Sequence, residues 1–72
     1  MRTLAELQIG EVAYIKTFKQ PDLSLKLLEM GCLPGEAVML DFVAPLGDPI
    51  GIQVNGYSLA LRREEAATVE IE

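Results

Sequence analysis

The chain alternates short apolar runs with tight polar corners, and most runs carry the period of one kind of element. Val38, Leu40 and Phe42 alternate with Ala37, Met39 and Asp41 in "AVMLDFVA"; Ile50, Ile52 and Val54 follow in "IGIQV", and Tyr57, Leu59 and Leu61 in "YSLAL". A period of two belongs to a strand with one face on a core, so all three sets are expected to point inward. Asn55-Gly56, between the second and third runs, predicts a two-residue hairpin loop with positive φ at both positions. "EVAYIKTF" at 11–18 has β-branched and aromatic residues that predict a strand, but its two faces are nearly equally apolar, which a bulge would reconcile. "TVEIE" predicts a closing strand with Val69 and Ile71 inward.

Two stretches change period. "QPDLSLKLLEMG" predicts a short helix over 23–30, with Asp22 as N-cap and Gly31 in a left-handed C-terminal position. Leu23, Leu27 and Met30 share one stripe at 100° per residue, whereas Leu25 and Leu28 lie round the cylinder, where they either complete the core or meet a partner. "RREEAA" at 62–67 predicts a single helical turn, and Thr3 three residues before Glu6 gives another near the start. Five short strands and one helix, tightly connected, predict a mainly β fold: a small five-stranded SH3-like barrel with one short inserted α-helix, because closure removes exposed sheet edges.

Length allows one domain over residues 1–72. No apolar run approaches the ~20 residues of a membrane span, and the N-terminus lacks the apolar core of a signal peptide, so a cytoplasmic location without membrane insertion is expected. Eleven acidic against six basic residues give a net charge of -5, and the one adjacent basic pair, Arg62-Arg63, runs straight into Glu64-Glu65. That balance argues against nucleic acid.

Catalytic chemistry is thinly supplied. The chain has no histidine, Ser24 and Ser58 have no activating partner in the sequence, and the glycines form neither phosphate-binding fingerprint. Glu64, Glu65 and Asp48 are read as solvated carboxylates, and Cys32, the single cysteine, as a small core residue. No enzyme activity, metal site or cofactor is expected.

Three motifs then resemble one family. "LLEMGCLPGEAV", "APLGDPI" and "LALRREEAATVEIE", in this order and spacing, resemble the ferrous-iron transport protein A (FeoA) family over residues 27–72, while 1–26 agree in general plan. The resemblance implies a small cytoplasmic accessory of bacterial ferrous-iron uptake, held at the inner membrane through a permease with a cytoplasmic GTP-binding domain. Leu25 stands where many members carry a polar or basic residue, so the contact surface expected here is apolar: Leu25, Leu28 and Leu33 of the helix and its glycine corner, with Arg62. Two other readings are a barrel module of a metal-dependent transcriptional regulator, for which the chain lacks a helix-turn-helix segment, and a Pro-rich peptide binder, for which two Tyr and two Phe are few.

Overall fold

The computed structural model describes residues 2–72, except the side chains of Pro21, Leu23 and Ser24. Its elements are a 3₁₀ turn at Leu4–Glu6, β1 (Val12–Phe18), α1 (Pro21–Glu29), β2 (Ala37–Val43), β3 (Ile50–Val54), β4 (Tyr57–Leu61), α2 (Arg63–Ala66) and β5 (Val69–Ile71). All strand pairings are antiparallel, in the order β4-β3-β2-β1-β5. This is the mainly β, SH3-like arrangement that the patterning predicts. Among the described residues no ladder joins β4 to β5; α2 connects them instead, and Arg63 Nη1 of α2 donates to the Ala5 carbonyl at 3.1 Å. The N-terminal segment also pairs with β5, through the Thr3–Glu70 bridge and a 3.0 Å bond from Ile71 N–H to the Arg2 carbonyl.

Strand faces follow the period of two until a bulge resets it. In β1 Ala13 and Ile15 are buried and Val12 and Tyr14 exposed; the register shift between Ile15 and Thr17 then resets the phase, so that Phe18 pairs with the buried Val69 and packs against the core. In β2 a second shift falls between Leu40 and Phe42, leaving Asp41 as the extra residue. Val38 and Leu40 point inward as expected, but Phe42 does not. The bulge puts it opposite Gly51, in the outward phase, and the residue is 46% exposed. Ile50, Ile52 and Val54 are all buried. In β4 Leu61 is buried and Leu59 partly so, but Tyr57 is 44% exposed. It stands at the barrel rim beside the hairpin, where its hydroxyl needs a polar partner and finds one in the Met30 carbonyl at 2.6 Å. Asn55 and Gly56 have φ of 51° and 87°, both positive as the hairpin requires.

The helix starts earlier than expected. Pro21 occupies the first helical position, where its fixed φ fits and its missing N–H costs nothing, and Gln20 before it is extended at φ -124°, ψ 110°. Asp22 is therefore within the first turn rather than at the N-cap, where its charge still complements the helix dipole. The C-terminal end is as the sequence predicts: Gly31 takes φ +94°, Cys32 N–H donates to the Leu27 carbonyl at 3.0 Å and Gly31 N–H to that of Leu28 at 3.1 Å. This double bond pattern brings Cys32 against Leu27, and both are fully buried.

Candidate functional site

Leu27 enters the core, so the rest of α1 must face outward or sideways. Leu25 is 62% exposed, two residues before it; Leu28 is half-buried, and Leu33, beyond the glycine corner, is 43% exposed. The two roles left open for Leu25 and Leu28 thus separate. Leu25 takes no part in the core, while Leu28 is only partly covered. Leu23's side chain lies outside the described residues. Water contact with so many leucine carbons on one short segment is costly, by roughly 25 cal/mol per Å².

Three contacts hold this segment in place. Leu27 anchors its middle; Tyr57 OH bonds the Met30 carbonyl at its C-terminal end; Lys26 Nζ meets Glu65 Oε2 at 2.7 Å from its outer side. Tyr57 disfavours any side chain at 31, since a β-carbon there would collide with its hydroxyl oxygen unless the ring shifts.

Arg62 joins the site through Glu65 rather than by direct contact. Its backbone N–H donates to Glu65 Oε1 at 2.9 Å, while the other oxygen of the same carboxylate takes Lys26. Glu65 is accordingly buried, only 8% exposed, and not the solvated acid that the sequence predicts. The Lys26 hydrogen bond, followed by the Arg62 N–H, lowers its pKa below the ordinary carboxylate value, and burial opposes this more weakly. Asp48 is likewise engaged: its Oδ1 accepts Arg63 N–H at 2.9 Å. Arg62 lies at the end of β4 remote from the Asn55-Gly56 turn, bordering a shallow groove with Asp48 and Pro49.

Tyr57, Lys26 and Glu65 were not legible as parts of this surface. A signal existed for Glu65, because a glutamate three residues after the start of a helical turn commonly reaches back to the cap N–H. Nothing in the sequence places Lys26 beside a residue 39 positions away.

Cys32 is fully buried, and burial pushes its thiol pKa up, so it is a poor nucleophile. No three His, Cys, Asp or Glu side chains converge among the described residues. No described helix is long and apolar enough to cross a membrane.

Comparison with known proteins bears on the same span. The FeoA domain family model matches residues 2–72. A Porphyromonas gingivalis protein, an Fe(2+) transport protein A/Fe(2+) transporter FeoB fusion, is 37% identical over 70 residues, which is 96% of this chain and 8% of that protein. The chain therefore spans a small fraction of that relative's length. The solution structure of iron(II) transport protein A from Clostridium thermocellum superposes with a TM-score of 0.92 at 39% identity, over 99% of this chain and 44% of that one. Stenotrophomonas maltophilia FeoA, crystallised with zinc and described as a procaryotic SH3 domain protein, gives 0.88 at 28% identity, over 100% and 91%. With the family model matched across nearly its whole length and the three motifs lying within that match, the chain belongs to the FeoA family.

Proposed function

We propose that this chain is a non-catalytic, cytoplasmic accessory of ferrous-iron uptake that docks on the GTP-binding domain of a FeoB-type permease through Leu25, Leu28 and Leu33, with Arg62 at the margin. The observation that carries the reading is the exposure of Leu25 and Leu33 on a segment whose backbone is already pinned by Leu27, Tyr57 and Glu65. Apolar side chains held ready in this way bind without much further loss of conformational freedom. The Porphyromonas gingivalis fusion supports the choice of partner, since there the two components are parts of one protein. The family match over residues 2–72 favours this reading over a regulator module or a Pro-rich peptide binder.

The test is titration of the permease's cytoplasmic domain with the wild-type chain and with Leu25→Gln, with and without guanine nucleotide. An exposed site tolerates glutamine, so the melting temperature is expected to stay put while affinity falls about tenfold, equivalent to ~1.4 kcal/mol. Unchanged affinity in a normally folded variant would remove Leu25 from the contact surface, and absence of binding by the wild type would remove the partner.

A further inference from the structure

The sheet has a second apolar surface, on the side away from the core. Val12 and Tyr14 of β1 alternate with the buried Ala13 and Ile15, so they point to the outside of the barrel. Cross-strand register sets Val12 against Met39 and Tyr14 against Ala37 of β2, which makes a four-residue apolar block. Val12 is 56% and Tyr14 51% exposed. A groove of about 310 Å³ is lined by three of these residues, Val12, Ala37 and Met39, and reaches Gln53 and the Asn55-Gly56 turn.

One flank of the block is acidic. Tyr14 and Glu72 exchange both backbone hydrogen bonds, at 3.0 Å each, so Glu72 stands directly opposite Tyr14 on the same face. Glu70 precedes it by two residues and shares its face. Lys16, further along the outward row of β1, already has a partner of its own. The chain as a whole carries a net charge of -5. An apolar strip beside carboxylates attracts apolar side chains flanked by cations and repels the same side chains flanked by acids.

We propose that the outer face of β1 and β2 is a second docking surface, and that it takes a polypeptide segment whose apolar side chains stand beside lysine or arginine. This face is built from residues other than Leu25, Leu28 and Leu33. The inference does not depend on the identity of the α1 partner.

The test uses three synthetic peptides of five repeats each, Lys-Leu, Glu-Leu and Lys-Thr, titrated into the isotopically labelled chain while amide shifts are followed. The Lys-Leu peptide is expected to shift Val12, Tyr14, Ala37 and Met39, with affinity that weakens as salt is added and is at least about tenfold tighter than for either control. Val12→Thr combined with Met39→Gln keeps strand-compatible side chains of similar size and is expected to abolish those shifts, whereas Leu25→Gln leaves them intact. Shifts centred on α1, equal affinity for a control peptide, or no shift in the wild-type chain would each overturn the proposal; should the double variant fail to fold, the location of the wild-type shifts still decides.

Discussion

The ring of Phe42 lies over the backbone of Gly51 on the neighbouring strand, so closely that a β-carbon at Gly51 would stand 1.9 Å from its Cε2. The bulge at Asp41 creates this contact by turning Phe42 outward, and the ring then covers a strand glycine that would otherwise be open to water.

A double-mutant cycle on that pair should be strongly non-additive. Gly51→Ala alone is expected to cost about 1 kcal/mol, because it expels the ring from its seat. In a Phe42→Ala background the same change meets no ring, and alanine is favoured over glycine in a strand by about 0.5–1 kcal/mol, so it should become neutral or stabilising. Equal effects in both backgrounds, measured by urea unfolding, would refute the contact.

Stability should fall on the acid side. Glu65, Glu6 and Glu11 all have folded pKa values below those of a free carboxylate, Glu11 at about 2 because of Arg2, whose Nη1 sits 2.7 Å from it. A depressed folded pKa contributes stability that is complete above the unfolded value, near 4.3, and is lost as pH falls towards the folded one. Glu65→Gln removes one of these contributions, so its loss of about 1 kcal/mol at neutral pH should shrink on acidification. Parallel pH profiles for variant and wild type would show that the Glu65 carboxylate is not linked to folding.

The helix corner offers a coupled pair. Tyr57→Phe deletes the bond to the Met30 carbonyl and should speed amide exchange at Gly31 and Cys32, for a global cost of about 0.5–1 kcal/mol. Gly31→Ala should cost more, since φ of +94° alone disfavours alanine by about 1–2 kcal/mol and the Tyr57 hydroxyl collides with the new methyl. Combining the two should recover part of that cost, because the hydroxyl is gone. If the combined cost equals the sum of the separate ones, Tyr57 does not pack against Gly31.

Features whose cause is local can be read from single stretches of the chain. Alternation in "IGIQV" can place Ile50, Ile52 and Val54 on one side only, Asn-Gly admits few hairpin turns, and glycine at 31 permits the left-handed corner that ends α1. Periodicity shows only that one stripe of a short helix cannot hold Leu25 and Leu28 together with Leu27; it does not decide which of them is buried. Which way a residue faces beyond a bulge, and which charges meet, follow only from the packed barrel. Phe42 follows the alternation in sequence yet points outward, because the phase after Asp41 is set by pairing with β3. Tyr57 shares the face of its paired residue Val54 but ends at the rim, and its hydroxyl finds the Met30 carbonyl only once α1 has docked. Lys26 and Glu65 lie 39 positions apart, and a carboxylate that looks solvated in "RREEAA" becomes buried because the folded barrel brings an ammonium group and a backbone N–H to its two oxygens. Bulges and long-range pairings depend on the whole set of neighbouring strands, and that information is not present in any single stretch of chain.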